Sequence, residues 1–78
     1  MTNLEKVNSI FIDVFQVGKS SLNADFNKDS VDGWDSIKQL SLTSAIEDEL
    51  DLLLDTEDIL AFTSYEAALK ILKKYIEL

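Results

Sequence analysis

The sequence contains no cysteine, histidine, arginine or proline. Without cysteine the chain forms no disulfide, and nothing in it demands an oxidising compartment. The lack of both histidine and cysteine removes the commonest general base, the commonest nucleophile–base pairs and the usual zinc ligands. No two acidic residues stand in an apolar setting that would separate their pKa values for acid–base work. We therefore expect that the protein is not an enzyme.

Long hydrophobic runs are also missing. Apolar residues occur in stretches of only a few, which argues against a transmembrane span. The first segment has periodic apolar positions instead of the continuous run of a signal peptide, so we predict none. The expected location is the cytoplasm.

Positive charge is scarce. The sequence has fifteen acidic residues and seven lysines, which gives a net charge of −8. Such a surface repels nucleic acid phosphates and anionic lipid headgroups, so we expect neither nucleic acid nor a membrane as a partner. Basic protein surfaces are the natural complement, although simple solubility also explains acidity in many small proteins.

The first segment has the pattern of an amphipathic helix. Thr2-x-x-Glu5 fits a capping box, and Gly18 is placed to end the helix, which predicts a helix over residues 3–17. The apolar residues that recur at spacings of three and four are Leu4, Val7, Ile10, Phe11, Val14 and Phe15.

Residues 19–35 form a predicted long loop, rich in Asp, Asn and Ser. Four apolar residues are spaced through it as anchors against a helical core, which favours an ordered loop: Leu22, Phe26, Val31 and Trp34. Trp34 is expected to fix the entry of the next helix. The repeat Asp29-x-x-Asp32-x-x-Asp35 lacks the ligand order and turn glycine of a calcium loop, so we expect no metal site there.

The second helix is predicted over residues 36–50. Its core stripe comprises Leu42, Ile46, Leu50 and then Leu53. Ile37 and Leu40 fall on a different side of the helical wheel. They either line a secondary pocket or form an exposed docking patch.

Two further helices complete the pattern. A short one is predicted over residues 56–61, capped by Asp55 or Thr56, with Ile59, Leu60 and Phe62 turned inward. Thr63-x-x-Glu66 reads as a second capping box. The last helix then has the stripe Ala67, Ala68, Ile71, Leu72, Tyr75 and Ile76, with lysines near its negative end at Lys70, Lys73 and Lys74. The chain is thus a single all-α domain, residues 1–78, with three main helices, one short third helix and a long first loop.

The start of the second helix carries the most informative residues. Asp35 can cap the helix, and Ser36 falls in its first turn, beside unpaired backbone N–H groups at the positive end of the helix dipole. A phosphate attached to the Ser36 hydroxyl would be favoured there. The alternative is that both residues are ordinary N-terminal capping residues.

An acidic run covers the end of the second helix and the next connection, residues 47–58. Such a run usually marks a solvated face. Its position also suits it to meet a basic partner. Its members are Glu47, Asp48, Glu49, Asp51, Asp55, Glu57 and Asp58.

These features together resemble an acyl carrier protein, and the resemblance covers nearly the whole chain. It includes the order of the helices, the long first loop and the acidic end of the second helix. The matching segments are Asp35-Ser36-Ile37, Leu42, Ala45-Ile46-Glu47-Asp48-Glu49-Leu50 and Thr63-Ser64-Tyr65-Glu66-Ala67-Ala68.

The resemblance implies that Ser36 receives a 4'-phosphopantetheine arm from coenzyme A, transferred by a carrier protein synthase (a phosphopantetheinyl transferase). The arm's thiol would hold acyl groups as thioesters. Asp35 would help present the serine, and Ile37 would dock partners. The expected clients are acyl-loading and acyl-processing enzymes whose basic patches meet Glu47, Asp48 and Glu49. The expected oligomeric state is a monomer.

Three residues depart from the pattern of fatty-acid carriers. Lys38 and Ser41 make the front of the second helix less acidic than usual for that family, and Trp34 precedes the motif where small residues are frequent. These departures favour a specialised discrete carrier over the housekeeping one. Its expected role is to deliver acyl intermediates to partner enzymes in fatty acid, polyketide or related specialised biosynthesis. The alternatives are a peptidyl or D-alanyl carrier, or an unmodified acidic module for protein–protein interaction.

Overall fold

Four α-helices surround one hydrophobic core in the computed structural model, which describes residues 2–78. The described residues contain no strand, although one isolated antiparallel bridge joins Asn27 to Ser64. No helix in this range is long and apolar enough to cross a membrane. The predicted all-α architecture is confirmed, with the elements α1 (Asn3–Phe15), a 3-10 helix (Lys19–Ser21), α2 (Ser36–Leu50), α3 (Thr56–Leu60) and α4 (Tyr65–Leu72).

Helix α1 begins as predicted but ends early. The Thr2 hydroxyl accepts a hydrogen bond from the Glu5 N–H, and the Glu5 carboxylate accepts one from the Thr2 N–H, which completes the capping box. The helix stops at Phe15 because Gln16 adopts a left-handed conformation, with φ of 56°. Gly18, the predicted terminator, instead precedes the 3-10 helix.

The cap of α4 lies one residue later than the predicted capping box. Ser64, not Thr63, accepts the hydrogen bond from the Ala67 N–H. The reason is tertiary, because the long loop pairs with this segment and holds it extended. The Lys28 N–H donates to the Thr63 carbonyl, and the Tyr65 N–H donates to the Phe26 carbonyl.

The long loop is anchored by aromatic packing, as the sequence predicted. Phe26 and Trp34 are buried, and the Trp34 ring lies 4.7 Å from Phe15 and 6.3 Å from Phe11 between centroids. The structural role expected of Trp34 is confirmed. The fully buried apolar residues are in the helices, apart from Phe62, which follows α3. They comprise Val7, Phe11, Leu42, Ile46, Phe62, Ala68 and Leu72.

Two leucines predicted to face inward are exposed instead. Leu53 is 84% exposed because α2 ends in a left-handed residue, Asp51, and the chain turns so that Leu54 enters the core. Leu60 is 69% exposed. In so short a helix the spacing of three between Ile59 and Phe62 turns those two side chains inward and leaves Leu60 off the buried face.

Candidate functional site

At the start of α2, the Asp35 side chain caps the helix and the side chain of the next residue, Ser36, is not used as a cap. The Asp35 carboxylate accepts a hydrogen bond from the Lys38 N–H at 2.8 Å, and the Asp35 carbonyl accepts one from the Gln39 N–H. Within residues 2–78, no group accepts the backbone N–H of Ser36 or Ile37. Ser36 is exposed. The helix therefore presents a hydroxyl and two unpaired N–H groups at its positive end.

A tight turn places Asp35 at the N-terminal cap of α2. Gly33 has a φ of 82°, a left-handed conformation that glycine adopts without the steric cost of a side chain. The Asp35 N–H donates to the Gly33 carbonyl, and the Trp34 N–H donates to the Val31 carbonyl. Since the Trp34 ring is buried against α1, the turn and the helix start are fixed to the core.

Beside Ser36 lies a groove of about 230 Å³ between α2 and α3. The sequence left open whether Ile37 and Leu40 line a pocket or stay exposed. Leu40 does both, because it lines this groove and is 57% exposed, whereas Ile37 is 76% exposed and lies outside the groove. The groove is lined by Lys28, Ser36, Gln39, Leu40, Ile59 and Leu60.

Gln39 is a buried polar residue that the sequence analysis missed. Its side-chain amide donates to the carbonyl of Ile59 at 2.8 Å and approaches the carbonyl of Leu60 at 3.4 Å. These bonds tie α2 to the end of α3, where the Ile59 carbonyl also accepts a hydrogen bond from the Phe62 N–H. No local pattern marks Gln39, because its partners lie about twenty residues further along the chain.

On its other side, α3 is held by the segment after α4. Lys74 forms an ion pair with Asp58 at 2.8 Å, and the Tyr75 hydroxyl donates to the same carboxylate while accepting from the Asp55 N–H. The hydrogen bond from Lys74, together with that from Tyr75, lowers the pKa of Asp58 below its ordinary value. The same bond raises the pKa of Lys74. Asp58 is thus buried and paired, and its expected place on a solvated acidic face was wrong.

The acidic residues at the end of α2 differ in how exposed they are. Asp48 and Glu49 are exposed, whereas Glu47 is partly buried and its carboxylate accepts a hydrogen bond from the Leu54 N–H. Exposed Leu53 lies in the same surface depression as Glu47 and Asp48. Because α2 has 15 residues, this surface is about 20 Å from Ser36.

The described residues bring no three carboxylates together in an arrangement that could hold a metal ion. The loop aspartates instead belong to turns. Asp29, for example, donates its N–H to the side chain of Asn27.

Comparison with known proteins gives no matching family model and no matching curated protein. Support for a function therefore comes from this chain's own residues and from their arrangement around Ser36.

Proposed function

We propose that the protein is an acyl carrier protein and that Ser36 bears a covalent 4'-phosphopantetheine arm. The observation that carries the proposal is the exposed Ser36 hydroxyl in the first turn of α2, beside a cap that Asp35 already fills. The order Asp35-Ser36-Ile37 within a four-helix fold agrees with the resemblance to carrier proteins.

The residues around Ser36 fit such a group. A phosphodiester on the Ser36 oxygen would lie close to the unpaired N–H groups at the helix start, where negative charge is favoured. Lys28 adds an ammonium group to the lining of the adjoining groove. Leu40 and Ile59 give that groove an apolar wall, suited to the uncharged part of the arm.

In this proposal the protein's own residues bind and present, and they perform no catalysis. The Ser36 oxygen forms a bond to phosphorus as the phosphoanhydride bond of coenzyme A breaks. Adenosine 3',5'-bisphosphate leaves, and the Ser36 proton passes to a base of the transferase. Asp35 keeps the helix start fixed during that reaction. When bound, the arm supplies the thiol for thioester chemistry that a chain without cysteine lacks.

Recognition by partner enzymes would use two surfaces. Ile37 and Leu40 offer exposed apolar contact beside the attachment point. The acidic end of α2, with Asp48 and Glu49 exposed, would steer basic docking patches by charge. Lys38, next to the motif, favours clients other than ordinary fatty acid synthase enzymes. We therefore propose a specialised, cytoplasmic, monomeric carrier.

The test is an intact mass measurement before and after incubation with coenzyme A and a broad-specificity phosphopantetheinyl transferase. The wild-type protein should gain one phosphopantetheine. Ser36→Ala should gain none while keeping its fold, because Asp35 still caps α2. Ser41→Ala is the matched control, since Ser41 is an exposed serine on the same helix, and this variant should be modified like the wild type. Modification of Ser36→Ala would refute the assignment.

One observation favours a second candidate, an unmodified interaction module. Leu53 is 84% exposed beside Glu47 and Asp48, which is an apolar and acidic combination suited to a basic amphipathic partner. This module would bind its partner equally well after Ser36→Ala. Charge reversal at Asp48 and Glu49 would abolish the binding. A wild-type protein that stays unmodified by several transferases would favour this candidate.

A further inference from the structure

The groove beside Ser36 is separated from the hydrophobic core. No fully buried core side chain lines it, and Gln39 and Ile59 form its inner wall. Leu42, Ile46 and Phe62, which have no exposed surface, belong to the core behind that wall. A group attached to Ser36 can therefore reach the groove directly, but it reaches the core only if α2 and α3 separate.

The Gln39 side chain bridges α2 and α3 beside the groove. Its amide donates to the Ile59 carbonyl at 2.8 Å and approaches the Leu60 carbonyl at 3.4 Å. The buried Thr43 hydroxyl, one turn later on α2, bonds within its own helix, to the carbonyls of Gln39 and Leu40. An alkyl chain that entered between the two helices here would break the Gln39 hydrogen bonds and place the Gln39 amide against an apolar chain, which costs free energy.

Helix α3 is also fixed on the side away from the groove. The Asp58 carboxylate accepts hydrogen bonds from Lys74 and Tyr75, and the Tyr75 hydroxyl accepts one from the Asp55 N–H. Outward movement of α3 would therefore strain or break contacts on both of its sides.

We propose that this carrier keeps its cargo in the surface groove between α2 and α3 and that Gln39 closes the route to the core. The cargo class that fits is a short acyl or aminoacyl group with polar atoms, not a long alkyl chain. The groove of about 230 Å³ is smaller than the usual pocket for a drug-sized molecule. Its lining combines apolar residues with polar ones, Lys28, Ser36 and Gln39. This inference rests on the proposed attachment at Ser36.

The experiment compares carrier loaded with an acetyl, an alanyl or a decanoyl group, each transferred with the arm from the corresponding coenzyme A thioester. Intact mass verifies loading, and methyl NMR then locates the cargo. We expect shifts at the groove residues Leu40, Ile59 and Leu60, and unchanged methyl signals at the core residues Leu42, Ile46 and Leu72. Decanoyl-specific shifts of the core methyl groups would overturn the proposal.

The variant Gln39→Met tests the closing role of the amide, because methionine keeps a similar length without the two N–H donors. In this variant the decanoyl group should shift the core methyl signals, and hydroxylamine should cleave its thioester several-fold more slowly than in the wild type. Gln16→Met, a change at an exposed glutamine, is the matched control and should behave like the wild type. Identical behaviour of Gln39→Met and wild type would overturn the role of Gln39.

A second form of the experiment needs no transferase. Since the chain has no cysteine, Ser36→Cys provides a single thiol that forms a mixed disulfide with the decylthio or methylthio group of an alkyl methanethiosulfonate, as methanesulfinate leaves. The decyl chain should leave the core methyl signals unchanged, and core shifts would overturn the inference. Failure of enzymatic loading would thus count against the carrier function alone. The Ser36→Cys measurement would still show whether an alkyl group at this position enters the core or stays in the groove.

Discussion

Asp35 and Ser36 occupy the start of α2 without competing for the same role. The Asp35 side chain accepts the hydrogen bond from the Lys38 N–H, so the Ser36 hydroxyl is not needed as a cap. A helix cap of this kind is worth about 1 kcal/mol. Modification of Ser36 would therefore leave that contribution in place, which suits the proposed attachment of a group to the Ser36 oxygen.

Ile46 on α2 and Leu53 just after it are both apolar, but one is buried and the other exposed, so substitutions at the two positions can be compared. Ile46 has no exposed surface, so Ile46→Ala should lower the free energy of unfolding by about 2–5 kcal/mol through lost burial and a cavity. Leu53→Ala should change it by less than about 0.5 kcal/mol, because that side chain is 84% exposed. Urea denaturation measures both values.

A loss for Leu53→Ala as large as that for Ile46→Ala would contradict the burial described for this region. The comparison is informative because the sequence pattern alone placed both residues on one core stripe. Helical spacing was a sound guide as far as Leu50, where α2 ends. Beyond that point the left-handed Asp51 reverses the chain, which no periodicity in the sequence indicates.

At the scale of single elements, α3 depends most on its neighbours. It has five residues, far fewer than an isolated helix needs to be stable in water. Its position comes from Gln39 on α2, from the paired Asp58, and from the burial of Phe62 just after its end. The same contacts fix one wall of the groove beside Ser36.

The ion pair of Asp58 makes part of this stability dependent on pH. Asp58 has a lowered pKa in the folded protein, so its contribution is present above the ordinary aspartate value of 3.8 and is lost as the pH falls through the lower, folded value. Asp58→Asn should therefore lower the urea midpoint at neutral pH. The difference from wild type should shrink in acid, below about pH 4.

The control for this prediction is Asp48→Asn, which removes an exposed carboxylate of the same type from a helix surface. It should alter the urea midpoint little at any pH. A gap between Asp58→Asn and wild type that persists unchanged in strong acid would show that Asp58 acts through packing and not through its charge.

The elements differ in how far local sequence determined them. The bounds of α2 agree with the prediction: Asp35 caps its start, and the left-handed Asp51 ends it after Leu50. The cap of α4 did not agree, since both Thr63 and Ser64 are capping residue types and each has a plausible partner. The choice of Ser64 depended on the pairing of residues 26–28 with residues 63–65, which is a tertiary contact.

At the scale of the whole molecule, charge is unevenly distributed along α2. Lys28 and Lys38 lie near Ser36, whereas Asp48 and Glu49 are exposed at the far end of the helix. A net charge of −8 attracts a basic enzyme over a distance that salt shortens. A partner approaching Ser36 would thus be steered mainly by the acidic end of α2.

Association with the phosphopantetheinyl transferase should therefore slow as salt rises from low to physiological concentration, because screening weakens long-range attraction. Stopped-flow measurement of the association rate tests this. The double variant Asp48→Asn and Glu49→Gln, which removes two charges with little change of shape, should show a weaker salt dependence. Rates that do not vary with salt in the wild type would argue against the acidic surface as the steering element.

The sequence by itself determined the all-α class, the bounds of α2, the anchored loop and the position of Ser36 beside its cap. The helix bounds and caps depend on residues within one or two turns of each other, and the spaced apolar residues of the loop mark it as anchored, although their partners on α1 lie far along the chain. The tertiary structure alone decided the burial of Gln39 and Asp58, the exposure of Leu53 and Leu60, and the groove beside Ser36. The partners of Gln39 and Asp58 lie 16 to 21 residues away, and such contacts exist only after the helices pack.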